Sequence, residues 1–304
     1  MLALRLTLSL KYMKSVILAA GYATRLGELT KNFPKPLLQI GQNTILGRIL
    51  DDIDTIPEIT EHIIVTNHKF APIFEKWAAE QHYTKPLRII DDGTETNETR
   101  LGAVCDLLLA IKEPPSNSPL SSSLLSSSLS SSLSLSSSSL PSKGDKRSEE
   151  CLEGLHKPSL CREGLGGSLL VLAADNLLFF SFRDFINFAK EKNASCIMCH
   201  EQPSIEKLQR TGVVVLDEQQ RVLNMEEKPQ QPKSHWAVPP FYFYHEKDLD
   251  LILHAIENGC GKDAPGNLAH YLVDHTEMYA WKMNGGRFDI GSLDTYHEAI
   301  EKFG

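Results

Sequence analysis

Val16-Ile17-Leu18-Ala19-Ala20-Gly21-Tyr22-Ala23-Thr24-Arg25-Leu26 is the most informative stretch of the chain, and Phe33-Pro34-Lys35-Pro36-Leu37 follows it closely. An apolar run that ends in small residues predicts a buried strand over 15–20 passing into a tight turn. Small residues leave the backbone N–H groups of such a turn uncovered, so those groups can face phosphate oxygens. Arg25 offers a planar fork to the same oxygens and Lys35 a movable point charge. The segment reads as an anion site built on a strand end. Two other phosphate motifs fail on spacing. For a P-loop, Gly21 to Gly27 carries one residue too many, and Glu28 stands where the Lys belongs. For a dinucleotide fingerprint, position 23 is Ala rather than Gly.

Outward from this strand, helical and extended patterns alternate. Helices are expected at 45–53, 72–81, 101–111 and 182–192, and strands at 62–66, 87–90, 169–173 and 194–199. The alternation predicts an α/β fold with a doubly wound, mainly parallel, Rossmann-like sheet. Ligands on such sheets sit at the carboxyl ends of strands, where Gly21 and Asp175 both fall. The later part is richer in β pattern, with strands at 212–216, 222–225, 241–245 and 278–283. Helices at 248–258 and 267–275 lie among them, and Ser292 caps a last helix that runs to residue 303. This part is expected to form a smaller mixed sheet closing over the same cleft.

The 304 residues carry a formal net charge of −8. That balance argues against a nucleic-acid partner, whose phosphate backbone demands a basic surface. A phosphate site must then be locally basic inside an acidic protein. No apolar run reaches the roughly 18 residues of a membrane span. In residues 1–12, Leu alternates with other residues at strand period, and no small-residue cleavage site precedes the first strand, so export is not expected. The six cysteines are scattered, which fits a reducing cytoplasm. Cys196-Ile-Met-Cys199-His200 spells the c-type haem pattern, but on a strand residues three apart point to opposite faces, so buried thiols are the reading. Residues 121–140 contain only Ser and Leu, fourteen to six. The surrounding segment 114–167 holds too little apolar surface to offset ordering entropy and is expected to be a disordered insertion on the side opposite the ligand. The expected plan is one domain over 13–304, an extra N-terminal segment 1–12, and the insertion 114–167.

Two carboxylates complete the picture. Asp175 closes Leu170-Val-Leu-Ala-Ala-Asp175-Asn176, and Asp289 lies in Arg287-Phe-Asp289-Ile-Gly291. Each alone reads as a cap or turn residue. Beside a phosphate loop the pair fits a Mg²⁺ site, since Mg²⁺ takes one or two carboxylates plus phosphate oxygens and water. Further on come Gly212-Val-Val-Val-Leu-Asp217 and Arg221-Val-Leu-Asn-Met-Glu226-Glu227-Lys228-Pro229, and Asn97-Glu98-Thr99-Arg100-Leu101-Gly102-Ala103 opens a helix.

In this order the motifs resemble those of the sugar-phosphate nucleotidyltransferases, or nucleotide-sugar pyrophosphorylases, with glucose-1-phosphate thymidylyltransferase-like proteins among them. Members carry G-x-G-T-R-L, P-K-P-L, L-x-G-D, G-V-V followed by E-K-P, and D-I-G. The resemblance implies nucleotide binding by Leu18, Ala20, Gly21 and Gly102, catalytic roles for Arg25 and Lys35, and metal binding by Asp175 and Asp289. It implies acceptor binding by Gly212, Glu227 and Lys228. The implied reaction transfers a nucleotidyl group from a nucleoside triphosphate to a sugar-1-phosphate with Mg²⁺ as cofactor. Base, acceptor and oligomeric state stay open. A cytidylyltransferase acting on phosphocholine or another phospho-alcohol is one alternative. A non-catalytic nucleotide-sugar-binding module is another, and loss of Arg25, Lys35 or a carboxylate would mark it; none is lost. Three departures stand out: Ala23 and Ala174 replace glycines, and Val238-Pro239-Pro240 replaces a segment containing Gly. The two prolines remove two N–H donors beside the expected sugar pocket.

Overall fold

The computed structural model describes residues 12–112 and 167–304. The expectations for the segment 1–12 and the insertion 114–167 lie outside them, apart from Tyr12 and Gly167. In chain order the strands are β1 (Met13–Leu18), β2 (Gln39–Ile40), β3 (Asn43–Thr44), β4 (Ile59–Thr66), β5 (Leu87–Asp91), β6 (Ser168–Ala173) and β7 (Asn176–Leu178). They continue as β8 (Ser195–Glu201), β9 (Gly212–Leu216), β10 (Val222–Glu227), β11 (Trp236–Val238), β12 (Phe241–Tyr244), β13 (Met278–Lys282) and β14 (Arg287–Asp289). The longer helices are α1 (Ile45–Ile53), α2 (Ala71–Ala79), α3 (Ala103–Lys112), α4 (Phe182–Lys192), α5 (Pro265–His275) and α6 (Leu293–Phe303).

One ten-stranded sheet runs β10-β9-β11-β8-β12-β6-β1-β4-β5, with β13 also paired to β8. Strands β6, β1, β4 and β5 are parallel neighbours. Strand β12 lies antiparallel between β6 and β8. Beyond β8 the strands β11, β9 and β10 extend the sheet with antiparallel pairings. The β-rich later part is therefore joined to the main sheet through β8, and the separate small sheets are the two-stranded β7–β14 and β2–β3.

Alternation within the parallel strands explains their unbroken apolar runs. Ile17 pairs in register with Ile64 and Leu172, and Val16 with Ile63 and Val171. All six are buried, so both faces of the sheet are covered. The Ile17 face packs against Leu46, Ile49, Leu50 and Ile53 of α1, Phe74 of α2, and Phe182, Phe185 and Ile186 of α4. Local chemistry sets the helix starts. Thr44 Oγ1 accepts from Gly47 N at 2.9 Å ahead of α1, and Ser292 and Thr295 form a reciprocal capping box for α6.

The helix expected over 248–258 is shorter. A 3-10 turn (Glu246–Asp248) leads into a helix of five residues, Leu249–Leu253. Just beyond it Ala255 N donates to Ile252 O at 3.2 Å, three residues back rather than four, so the chain tightens into turns instead of continuing the helix. Cys196 and Cys199 are both buried free thiols within β8. Burial pushes the Cys199 thiol up to about 12, which keeps it protonated and unsuited to metal or haem chemistry.

Candidate active site

Sheet register brings the first two motifs to one edge. Leu18 is the parallel partner of Ala173, so the chain after β1 and the chain after β6 leave the sheet at the same level. Ala19 N still donates to Val65 O at 2.8 Å, and the Ala20 carbonyl accepts from Asn67 Nδ2 at 3.1 Å. Gly21 is the first residue to break away. A Cβ placed on it would meet nothing within 4 Å, so the protein itself does not need a glycine there. The space beside its backbone is open.

Ala23, which stands in place of a glycine, adopts the left-handed conformation at φ 47° and ψ 38°. Its carbonyl accepts from Leu26 N at 3.0 Å and from Thr30 Oγ1 at 2.9 Å, bonds that hold the turn against its strain. The loop path survives the substitution at a cost of about 1–2 kcal/mol. Thr24–Leu26 forms a 3-10 turn that carries Arg25.

A second, smaller apolar cluster ties the motifs together. Leu26, Leu38, Ile40, Ile45, Leu177, Ile290 and Ala299 pack on one another. Each of the first, second, fifth and sixth stands within three residues of Arg25, Lys35, Asp175 or Asp289. Burial thereby helps to fix remote segments relative to one another. The β7–β14 ladder adds register, because Asp289 is the cross-strand partner of Asn176, and Ile290 N donates to Asp175 O at 3.3 Å. Lys35 sits in a 3-10 turn that Pro34 and Pro36 stiffen. Its Nζ donates to Asp175 Oδ2 at 3.0 Å.

The result is a cavity of about 340 Å³ at the carboxyl ends of β1 and β6. Leu18, Gly21, Arg25, Lys35, Asp175 and Asp289 all line it. Burial raises the Asp289 carboxyl above the ordinary carboxylate range, and the Asp175 charge raises it further, against opposing pulls from Lys35, Arg287 and Arg25. Two additional polar residues, Asn97 and Arg100, reach the same cavity. Arg100 was not singled out from the sequence, although a signal existed: Thr24-Arg25-Leu26-Gly27 recurs as Thr99-Arg100-Leu101-Gly102. With Arg25, Lys35 and Arg100 against Asp175 and Asp289, the lining is locally basic within an acidic chain.

The remaining candidates do not line this cavity. Ala20 lies beneath it, bonded as described. Gly102, at φ +96°, packs against the next loop, where an added Cβ would stand 2.6 Å from Lys262 O. Ala103 N and Val104 N donate to Asp263 O and Lys262 O, so this loop caps the start of α3. Gly212 and Glu227 are cross-strand partners on β9 and β10. A Cβ on Gly212 would lie 3.2 Å from Glu227 Oε2, and one on Gly266 of α5 would lie 2.1 Å from the same oxygen. The Glu227 carboxylate thus occupies a cradle between two glycines, of which Gly266 escaped the sequence reading. Burial raises its pKa, with Lys228 and His270 pulling the other way. Lys228 is left-handed at φ 51° and its N donates to Thr211 O at 3.0 Å. The Pro240 carbonyl accepts from Ala173 N at 3.1 Å, so the two-proline turn borders the end of β6 directly.

A family model described as nucleotidyl transferase matches residues 14–117 and 157–304. The chain belongs to the nucleotidyl transferase family. Two curated relatives are glucose-1-phosphate adenylyltransferases. The one from Lachnospira eligens is 27% identical over 132 residues, 43% of this chain and 31% of its own. The one from Mycoplasma mobile is 29% identical over 133 residues, 43% of this chain and 35% of its own. The chain spans about a third of the length of these relatives. Among solved structures, UDP-glucose pyrophosphorylase complexed with UDP-glucose gives a TM-score of 0.64 at 16% identity, covering 95% of this chain and 97% of that one. A Bacillus anthracis protein assigned as a glucose-1-phosphate thymidylyltransferase, in complex with a sucrose, gives 0.63 at 18%, covering 95% and 94%. At these identities the two structures establish a shared fold.

The donor set of this nucleotidyl transferase suits a hard divalent cation. Two carboxylates from remote segments converge on the cavity, and the Asp175 charge adds to burial in raising the Asp289 carboxyl. Among the described residues no group of three or more His, Cys, Asp or Glu side chains is arranged for a metal. Two carboxylates leave room for phosphate oxygens and water, as Mg²⁺ requires. Also among the described residues, no helix is long and apolar enough to cross a membrane.

Proposed function

We propose that this nucleotidyl transferase moves a nucleotidyl group from a nucleoside triphosphate to a sugar-1-phosphate, releasing pyrophosphate and forming a nucleotide sugar. The observation that carries this reading is the convergence of the open Gly21 turn, Arg25, Lys35 and two carboxylates on one cavity. The substrate classes named for the relatives, glucose-1-phosphate adenylyl- and thymidylyltransferases, support a sugar phosphate as acceptor.

An oxygen of the acceptor phosphate attacks the α-phosphorus in line. The new P–O bond forms as the bond from the α-phosphorus to the bridging oxygen breaks, and pyrophosphate leaves with that electron pair. The acceptor is already ionised at neutral pH, so no protein nucleophile or base is needed; the protein aligns like-charged reactants and offsets their repulsion. The backbone of Leu18 to Gly21 and the turn at Gly102 hold the nucleotide, with Ala20 shaping the turn. Arg25 and Arg100 bind the triphosphate and the departing pyrophosphate. Lys35 stabilises charge building at the α-phosphate. Gly212 and Glu227 receive the sugar, and Lys228 the incoming phosphate. Asp175 and Asp289 would hold Mg²⁺, whose charge would offset that of the phosphates.

A reducing cytoplasmic setting is in keeping with the buried thiols of Cys196 and Cys199. A single domain over 13–304 with 114–167 as an insertion accords with the gap from 118 to 156 in the family match. The reading is tested by screening five nucleoside triphosphates against sugar phosphates and phosphocholine for pyrophosphate release. Release with a sugar-1-phosphate supports it; release with phosphocholine alone overturns the acceptor, and no release with any pair overturns the activity.

A further inference from the structure

Asn176 lies directly behind the Asp175 carboxylate and takes no part in the mechanism above. It is 1% exposed. Its Nδ2 donates to Asp175 Oδ1 at 2.7 Å, while its Oδ1 accepts from Arg287 Nη1 at 2.7 Å. The β7–β14 pairing explains the contact. Asn176 faces Asp289 and Leu178 faces Arg287 across the ladder. Residues two apart on a strand share a face, so Asn176, Arg287 and Asp289 project from the same side, with Arg287 diagonal to Asn176. Although two carboxylates lie nearby, Arg287 directs this hydrogen bond at a neutral amide.

That choice has a consequence for Asp175. The terminal torsion of an Asp side chain is soft, so a lone carboxylate turns freely about it. With the Asn176 oxygen claimed by Arg287, the amide presents its NH₂ to Asp175, and that donor fixes the plane of the carboxylate. Oδ1 is then committed, and Oδ2 is the atom that meets Lys35. We propose that Arg287 and Asn176 form a positioning relay that orients the Asp175 carboxylate toward a divalent cation. The relay rests on the reading of Asp175 as a metal-holding residue. Partners of this kind, one bond removed from a metal, typically set affinity within a 10–100-fold range.

Mn²⁺ is a suitable probe, its binding to the full chain followed by electron paramagnetic resonance of the free ion. Asn176→Ala and Arg287→Gln should each weaken Mn²⁺ binding about 10–100-fold. The double variant should bind no more weakly than Asn176→Ala alone, because Arg287 acts through the amide. In pyrophosphate release the defect should appear as a raised KM for Mn²⁺ with kcat recovered at saturating metal, which general damage to the fold would not produce. Asp175→Ala separates the two levels of the argument. If Asp175→Ala binds Mn²⁺ like the unchanged protein, the metal reading itself is wrong. If it loses Mn²⁺ while Asn176→Ala and Arg287→Gln do not, or if the two losses add, the relay alone is overturned. Should Asn176→Ala fail to fold, Arg287→Gln at the half-buried end decides, and unaltered Mn²⁺ affinity there overturns the relay.

Discussion

Replacing Lys35 by Met separates catalysis from folding. The Lys35 side chain is 10% exposed, its partner Asp175 is 40% exposed, and they meet at 3.0 Å. Met keeps the buried stem and removes only the ammonium group. Because Asp175 is well solvated, losing the pair costs stability about 1 kcal/mol or less. Triphosphate affinity should fall by no more than about tenfold, the scale of one partly screened charge-assisted hydrogen bond, since Arg25 and Arg100 remain. Turnover should fall much further. One preorganised stabiliser of developing charge is typically worth about 2.7–4 kcal/mol, or roughly 10²–10³ in rate. Calorimetric titration with triphosphate, steady-state pyrophosphate release and a thermal melt measure the three quantities on one preparation. Near-normal turnover would remove Lys35 from the mechanism. A melt lowered as by a core cavity, with activity lost in proportion, would make Lys35 a structural residue instead.

Gly21→Ala should leave the melt at or slightly above that of the unchanged protein, because nothing lies within 4 Å of the added Cβ, yet triphosphate binding should be weakened in calorimetry. Ala23→Gly should stabilise by a net of about 0.5–1 kcal/mol, read as a Tm raised by roughly 1–4 °C, since relief of left-handed strain exceeds the added freedom of the unfolded chain. Asp289→Asn should abolish most activity and yet raise Tm at neutral pH in chelator. The folded state holds the Asp289 proton to higher pH than the unfolded state does, so stability is lost as pH rises from the ordinary carboxylate range through the raised value. The Tm gap between the two proteins should therefore open across that window and persist above it; a variant less stable at neutral pH would contradict the burial argument.

What the sequence disclosed followed from how local the physics was. Helices over 45–53 and 182–192 appear with those bounds because their apolar faces and the Thr44 and Ser181 caps are all contained within the segment. Asp175 and Asp289 were visible because each stands at a strand end within a short pattern. The path of the later strands was not, because pairing of β11 with both β8 and β9 is decided by partners remote in sequence. For the same reason the cluster of Leu26, Leu38, Leu177 and Ile290 was invisible: each reads as an isolated apolar residue until the motifs meet. Arg100 belongs to a repeated tetrapeptide, but its place in the cavity depends on the route of the chain after β5. Gly266 has a meaning only once Glu227 is seated on it.

The central claim is the direction of group transfer, and an isotope-tracing experiment tests it most directly. Nucleoside triphosphate labelled at the α- or the γ-phosphorus is mixed with a sugar-1-phosphate, Mg²⁺ and enzyme in a single turnover, and the products are separated. The α-label should appear in a nucleotide sugar and the γ-label in pyrophosphate, with neither product formed when the acceptor is omitted. Contradiction would be γ-label on the sugar, which marks a kinase, or α-label released as free nucleotide, which marks a hydrolase.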